Sequence, residues 1–326
     1  MEVGNISESI LKRAVLSQIS HKRDEVKVFS GIGEECTILE LGQESGLVLA
    51  TRCASGGYKN MEKIVVNSVA NKICASGGQV IGVLITILLP DNTYESELER
   101  IISEIEATCV DINIDILEVN TEVSKEVTSP VIVVSGVGKS NKAKRPNLDM
   151  MRPDLDIVMT KWAGLEGTSI IANKKEEHLL TRFTSDFVRR AKELIGNISI
   201  MEEARLTLET APVLMHHINT GGVFAALWKI AEASSVGFEV DISKIPIKQE
   251  TIEVCELYDI NPYELASSGS LLVVTDKGNS LVAKLKESNI NAAVIGRITS
   301  DKENAVINGD YKRFLTPPKR DELYKI

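Results

Sequence analysis

The stretch EKIVVNSVANKICASGGQVIGVLITILL, residues 62–89, carries the pattern that decides the fold class. Its first part, 62–75, has apolar residues at helical spacing, and the Ser-Gly-Gly that follows ends the helix. Its second part, 79–89, is an apolar run closed by Pro90, which is typical of a buried strand. The apolar face of the helix is formed by Val65, Val69 and Ile73. A helix that leads into a buried strand predicts an α/β domain.

The same patterns continue on both sides of this stretch. A second helix is predicted at 94–110, where apolar residues recur at helical spacing. Short runs rich in β-forming residues predict further strands. These strands lie at 47–52, 112–119 and 130–138. The first half therefore has the order β-α-β-α-β-β.

A polar stretch without periodicity, 139–154, is typical of a linker between domains. We therefore predict an N-terminal domain over 1–145 and a C-terminal domain over 146–326. In the second half, 164–172 has the pattern of a glycine turn that leads into a helix. Further strands are predicted at 155–163, 266–275 and 291–299, and further helices at 186–196, 223–237 and 279–288. The whole chain is predicted to be a two-domain α/β protein.

Composition narrows the function classes. The 326 residues carry a net charge of -9, which argues against nucleic-acid or anionic-membrane binding. The longest apolar run, 80–90, is too short to span a membrane. Five cysteines without a CxxC pair, and a first segment without the form of a signal peptide, predict reduced thiols and a cytoplasmic protein.

Seven stretches taken together resemble one family. They are SGIGEEC (30–36), NKICASGG (71–78), NTEV (120–123), TKWAGLEGTSIIA (160–172), MHHINTGGVFAALWKIAEAS (215–234), IPI (245–247) and SSGSLLV (267–273). In this order they resemble the superfamily of aminoimidazole-ribonucleotide (AIR) synthetase. That superfamily includes the hydrogenase maturation factor that converts a carbamoyl group to a nitrile, thiamine-monophosphate kinase and selenophosphate synthetase. The maturation-factor branch is the most similar.

The resemblance implies an architecture and a chemistry. The N-terminal sheet would pair with its twin to form a barrel across a homodimer, and the C-terminal α/β domain would cover a cleft. ATP would bind in that cleft, with its phosphates held through Mg²⁺ by acidic side chains and by glycine-rich turns. Such enzymes phosphorylate an oxygen, often of an amide or carboxamide. Another maturation or scaffold protein is a candidate partner.

The resemblance also assigns candidate site residues. Glu35 and Glu122 are the candidate metal ligands, since Mg²⁺ prefers carboxylate oxygens. The nucleotide-binding candidates are Glu35, Asn71, Lys72, Thr121, Glu122, Gly164, Gly167, Thr168, His217, Gly221 and Gly222. Gly221 and Gly222 precede a predicted helix, so their backbone N–H groups are expected to face an anion.

Several acidic positions of the family are replaced in this sequence. Cys53 stands where the family has an aspartate, and Lys72 follows Asn71 where the family has Asn-Asp. His217 and Thr220 replace the Asp and Glu of the family's Asp-Val-Thr-Glu-Gly-Gly. These changes remove carboxylates that a magnesium site needs.

Three interpretations stay open at this point. In the first, the fold, the dimer and the cleft persist but catalysis is lost or altered, and the chain serves as a scaffold or as a binder of a ligand, such as a nucleotide or phosphate compound, or of a partner. In the second, the protein is an active ATP-dependent enzyme that uses Glu35, Glu122 and Glu166, or in which Lys72 neutralises phosphate directly. In the third, Cys53 and His217 form a new zinc or iron site. The sequence also has no cysteine after Cys255, so we do not expect it to replace the nitrile-forming maturation factor.

Overall fold

The computed structural model describes most of the chain. It covers residues 4, 6–21, 23–28, 31, 34, 36–42 and 45–326, with the backbone alone for Lys144. The strands are β1 (Val26–Val28), β2 (Thr37–Glu40), β3 (Ser45–Ser55), β4 (Gly78–Pro90), β5 (Asp115–Ser124), β6 (Val131–Asn141), β7 (Asp156–Thr160), β8 (Leu214–Ile218), β9 (Gly237–Asp241), β10 (Ser270–Thr275), β11 (Ala292–Thr299), β12 (Asn304–Asn308) and β13 (Tyr311–Phe314). The α-helices are α1 (Glu8–Ile10), α2 (Met61–Ala75), α3 (Glu95–Asp111), α4 (Leu165–Lys174), α5 (Glu176–Leu180), α6 (Ser185–Glu193), α7 (Met201–Leu208), α8 (Gly222–Ser234), α9 (Gln249–Leu257) and α10 (Gly278–Glu287).

The first sheet has six strands in the order β1-β2-β3-β6-β4-β5. Only the pairing of β4 with β5 is parallel, and it follows the crossover helix α3. In β4, Ile85, Ile87 and Leu89 are buried and belong to the core that contains α2 and α3. The opposite side of the sheet, which we call the open face, has no helix packed on it among the described residues. Its side chains include Leu49, Thr51, Cys53, Leu84, Thr86, Leu88, Val133, Ser135 and Val137.

The second sheet has seven strands in the order β13-β12-β9-β11-β7-β10-β8. Most of its pairs are antiparallel, and β9 with β12 is parallel. One face packs against α8 through Ile157, Leu272 and Leu227. The other face belongs to a cluster shared with the first half of the chain.

A large hydrophobic core is shared by the two halves. Val65 and Val69 of α2 lie in the same buried cluster as Met215 of β8, Leu271 of β10 and Val158 of β7. α2 is therefore covered by its own sheet on one side and by the second sheet on the other, which explains why nearly all of its residues are buried. Burial of apolar area at about 25 cal/mol per Å² makes this shared layer a major stabilising contact.

The two-domain α/β prediction is confirmed, and several boundaries differ from those predicted. β5 runs over 115–124, so Thr121 and Glu122 lie within the strand and not after it. Residues 139–141 of the predicted linker belong to β6, where they pair with β3. The strand predicted at 155–163 ends at Thr160, because Lys161 adopts a positive φ of 51°.

Two further differences concern the second half. The helix predicted at 186–196 changes from α to 3₁₀ geometry after Glu193, so Gly196 lies in a 3₁₀ turn and does not end the α-helix. The stretch Leu214–Ile218, which contains both adjacent histidines, is an edge strand. Its mixture of buried histidines and aliphatic residues lacks the alternation by which half-buried strands are recognised.

Candidate functional site

The Gly221-Gly222 turn lies between β8 and α8, at the boundary between the two halves. Both glycines have positive φ, 82° and 64°. A Cβ on Gly222 would lie 2.5 Å from the Tyr263 carbonyl oxygen and 2.7 Å from that of Leu265. Only glycine fits there, and the turn directs backbone N–H groups toward the space at the start of α8.

An acidic side chain of the same chain occupies this space. The Gly221 N–H donates to Asp321 Oδ2 at 2.5 Å, and the N–H groups of Ala266 and Leu323 donate to Oδ1 at 3.3 and 2.8 Å. Asp321 is only 4% exposed. Burial raises the pKa of its carboxyl to about 6, although the N–H donors oppose that rise. The anion that faces the Gly-Gly turn is therefore the protein's own carboxylate.

His217 and Asn71 form a buried contact between the halves. His217 Nε2 and Asn71 Nδ2 lie 3.1 Å apart, and both residues are fully buried. The same amide nitrogen donates to the Ile198 carbonyl at 2.7 Å, and Asn71 Oδ1 accepts from the Ile200 N–H at 2.9 Å. The structure thus brings together two of the predicted site residues, in an arrangement that ties α2 to the 197–200 loop.

Lys161 holds the same loop from the other side. Its Nζ donates to the carbonyls of Asn197 and Ser199 at 3.0 and 2.5 Å. It also pairs with the buried Glu203 carboxylate at 2.6 Å. A lysine that is largely buried needs such partners for its charge. These contacts fix the loop against which Asn71 packs.

Two cationic side chains lie on neighbouring elements of the first half. Arg52 Nη2 donates to Thr220 Oγ1 at 3.2 Å, so the guanidinium reaches the residue next to Gly221. Lys72 Nζ lies 3.4 Å from the Thr51 carbonyl oxygen. Arg52 was not among the predicted site residues, although it lies beside Cys53 in the sequence.

The second glycine turn, Gly164 to Thr168, is used for packing. The Gly164 N–H donates to Ser267 Oγ at 2.7 Å, and the Gly167 N–H donates to the Ala266 carbonyl at 2.8 Å. Thr168 Oγ1 donates to Thr251 Oγ1 at 3.0 Å. Glu166 is also buried, and its carboxylate accepts from the Ser268 N–H at 3.3 Å. This turn therefore binds α4 to the loop before β10.

Thr121 and Glu122 are not brought to the Gly-Gly turn within one chain. Thr121 and Glu122 lie on the outer strand β5, and two strands separate β5 from β3, about 14 Å at usual strand spacing. Cys53 is exposed on the open face, whereas His217 is buried on the side of α2. Glu35 lies outside the described residues.

The arrangement does not fit a magnesium ion at the turn. Arg52 approaches where a cluster of carboxylates would be needed, and Asp321 is engaged by three N–H groups. No group of three or more His, Cys, Asp or Glu residues in the described part of the chain is placed to hold a metal ion. Nor does any described helix have the length and apolar character that crossing a membrane requires.

Family models match both halves of the sequence. One described as AIR synthase related protein, N-terminal domain, matches residues 33–140, and one described as AIR synthase related protein, C-terminal domain, matches residues 152–308. The chain belongs to the AIR synthase-related family.

Within the AIR synthase-related family, the chain is similar to hydrogenase maturation proteins. Carbamoyl dehydratase HypE of Rhizobium leguminosarum bv. viciae is 24% identical over 306 residues, which cover 92% of this chain and 83% of that protein. A chain in the crystal structure of a HypE–HypF complex has a TM-score of 0.78 at 17% identity, with 94% of this chain and 99% of that chain covered. The structure of HypE in complex with ATP has a TM-score of 0.69 at 16% identity, with 99% and 97% covered.

Proposed function

We propose that this AIR synthase-related protein binds a nucleotide or a related phosphate compound between its two halves, and that catalysis there is lost or altered. The proposal rests on the position of Arg52 beside the Gly221 turn. A guanidinium from the first half meets a glycine turn from the second, with Thr220 bridging them at 3.2 Å. Arginine and backbone N–H groups are the donors that bind phosphate oxygens directly.

The altered catalysis follows from charge. In related chemistry, divalent cations offset the negative charge of the triphosphate, and each cation needs several oxygen ligands. Here Arg52 and Lys72 supply positive charge instead, and Asn71 is committed to the 197–200 loop. Side chains that neutralise the phosphate charge support binding of the ligand. They do not place a metal ion at the phosphoryl group that a catalytic reaction would transfer. The alternative, an active enzyme, requires Glu35 and Glu122 to reach the cleft.

A homodimer is part of the proposal. The open face carries half-buried aliphatic side chains such as Val133, Val137 and Leu84. An apolar sheet face without a covering layer is a usual site of association, and a twofold pairing would cover it on both copies. Such a pairing would also place Glu122 of one copy near another chain.

The setting of the protein is also proposed. A cytoplasmic location agrees with the finding that no described helix could cross a membrane. Another maturation or scaffold protein is a candidate partner, since one structural neighbour was solved in a HypE–HypF complex.

Calorimetric titration of ATP, with Mg²⁺ and then with EDTA, tests the binding site. We expect the Kd to change less than about threefold on removal of the metal, because Arg52 and the turn bind the phosphates directly. Arg52→Ala should weaken binding at least about tenfold, the effect of losing one charge-assisted contact. Arg182→Ala, a change at an exposed arginine, is the matched control.

Two other results would contradict the proposal in different ways. Binding that disappears in EDTA would favour an active metal-dependent enzyme and direct attention to Glu122. Binding that is absent under both conditions, in every variant, would favour a scaffold without a nucleotide site.

Light scattering at several concentrations tests the dimer. Val133→Glu places a charge on the open face and should shift the mass from dimer to monomer. Val110→Glu, at a residue that is 66% exposed on α3, should leave the mass unchanged. A wild-type protein that is monomeric at high concentration would rule out the dimer.

A further inference from the structure

The segment formed by residues 317–326 lies across the proposed phosphate site. Asp321 binds the Gly221 turn, as described above, and Glu322 accepts from the Asn261 N–H at 3.1 Å. The Glu322 N–H donates to the Glu264 carbonyl at 3.3 Å. Asp321 and Glu322 are each 4% exposed, which is rare for acidic side chains.

Leu323 anchors the segment to both halves of the protein. It packs on a small apolar cluster that contains Ile64 of α2, Ile170 of α4 and Ile198 of the 197–200 loop. Tyr58 of the first half belongs to the same cluster. The segment therefore lies at the boundary between the halves and is not a tail on the surface of one.

The attachment is limited to few residues. Before Asp321, the residues Pro317, Lys319 and Arg320 are exposed, and after Leu323 the side chain of Tyr324 is 41% exposed. Only the short 3₁₀ turn that begins at Glu322 has regular structure. Release of the segment would break a small number of hydrogen bonds and expose the side chains of Leu323 and Ile326, which also pack on a buried cluster of the second half. This makes release a local event and not an unfolding of the domain.

A cavity adjoins the Asp321 carboxylate. With the segment docked it has a volume of about 800 Å³. One wall includes Ile6, Ile10, Gly221, Lys229 and Glu264, and the other is the segment itself, at 318–322 and Lys325. This volume is within the range of nucleotide-sized ligand sites. A ligand in the cavity would meet the Gly221 N–H only after Asp321 had moved away, because that N–H already donates to Asp321 at 2.5 Å.

We propose that the 317–326 segment is an autoinhibitory element, in which the Asp321 carboxylate occupies the position of a phosphate at the Gly221 turn. A carboxylate and a phosphate oxygen compete for the same N–H and for the same positive end of α8. The docked segment and a bound anion exclude each other. This inference rests on the proposed function, because it names the element that regulates the same site.

Competition predicts a change in apparent affinity. If only a fraction of molecules has the segment released, the apparent Kd rises by the inverse of that fraction. Asp321→Ala removes the competing carboxylate, so its Kd for ATP should be at least about tenfold lower than that of the wild type. Asp310→Ala, which removes an exposed carboxylate between β12 and β13, should leave the Kd unchanged.

A second measurement uses the unmodified protein. Addition of ATP should speed hydrogen exchange of the amides in 321–326 at least about tenfold, because the ligand shifts the population to the released state. Thermal melting shows whether Asp321→Ala is folded. If that variant is unfolded, the exchange experiment on the wild type decides the question.

The outcomes separate the two proposals. Equal, measurable ATP affinity in the wild type and in folded Asp321→Ala, or unchanged exchange when ATP binds, would overturn the autoinhibitory element and leave the binding site intact. Absence of ATP binding in both proteins would overturn the proposed function, and the inference with it.

Discussion

The Asn71 Nδ2 atom of α2 and the His217 Nε2 atom of β8 lie 3.1 Å apart, in a contact where neither side chain reaches solvent. Both residues stand at positions where the family resemblance predicts a nucleotide site. In this chain they tie the first half of the molecule to the second. The hydrogen bonds made at this contact are therefore structural ones, between α2, β8 and the 197–200 loop.

Asn71→Ala should therefore destabilise the protein strongly. The change leaves the Ile198 carbonyl and the Ile200 N–H buried without their present partner. Each buried group left unsatisfied costs about 1–3 kcal/mol, so for the two groups we expect a loss of about 2–6 kcal/mol in the free energy of unfolding, measured with urea. Asn92→Ala, at an exposed turn residue, is the control and should stay within about 0.5 kcal/mol of wild type. Equal stability of both variants would contradict a structural role.

Gly222→Ala should be more harmful than the same change at Gly309. Both glycines have similar φ values, 64° and 59°, so the backbone strain is matched. A Cβ at Gly222 would lie 2.5 Å from the Tyr263 carbonyl oxygen, whereas nothing lies within 4 Å of a Cβ at Gly309. Overpacking costs about 1–3 kcal/mol, and this is the expected difference in unfolding free energy between the variants. A difference near zero would show that the turn relaxes around the methyl group.

The attachment of the 317–326 segment should depend on pH. The pKa of buried Asp321 is raised to about 6, above the value of about 3.9 for a solvated aspartate. The docked state binds the proton more tightly, so docking is strongest below about pH 4, weakens as the pH rises toward 6 and changes little above that. Between pH 5 and pH 7, the opening of the Leu323 amide should increase about tenfold in hydrogen exchange, after correction for intrinsic rates.

Asp321→Asn is the control for this titration. Its side chain keeps an oxygen acceptor but does not titrate, so its corrected exchange should be independent of pH in this range. A rise that persists in the variant would assign the effect to another group. The charged and titratable groups on Asp321's own segment and on neighbouring elements are Glu8, Arg52, Tyr58, Glu166, Lys229, Glu264, Lys319, Arg320, Glu322, Tyr324 and Lys325.

One of the five cysteines should react quickly with a thiol reagent. Cys53 is exposed, whereas Cys74 and Cys109 are buried, and burial raises the pKa of their thiols to about 12 and about 11. Because the thiolate is the reactive form, the buried thiols should react at least about a hundredfold more slowly. Mass spectrometry should locate the first label at Cys53, and Cys53→Ser should abolish the fast phase. Since Cys53 lies on the open face, slower labelling at high protein concentration is expected if the dimer forms.

Local pattern was enough to predict the elements with strong periodicity. α2 and β4 are found where the sequence predicts them, because the helical spacing of Val65, Val69 and Ile73 and the apolar run closed by Pro90 are both local signals. The strand Leu214–Ile218 was missed, since its burial comes from tertiary packing, such as that of His217 against Asn71 of the first half, and not from a local pattern.

The composition of the site was harder to predict than the fold. The resemblance pointed to His217 and Asn71, and the structure places them in contact. It gave no indication of Asp321, which is one of two adjacent acidic residues in the sequence KRDELYKI. Its meeting with Gly221, a hundred residues earlier, depends on tertiary packing that no local spacing encodes.

The hydrophobic core shared by α2 and both sheets has a consequence for how ligands would enter. Hinge motion between the halves would pull Val69 away from Met215 and Leu271 and expose the apolar centre of the protein. Such opening would cost a large part of the folding free energy. Detachment of ten residues at the margin costs far less. The rate of ligand exchange should then be set by detachment of the 317–326 segment. Variants in that segment should change this rate without changing the melting temperature of the whole protein.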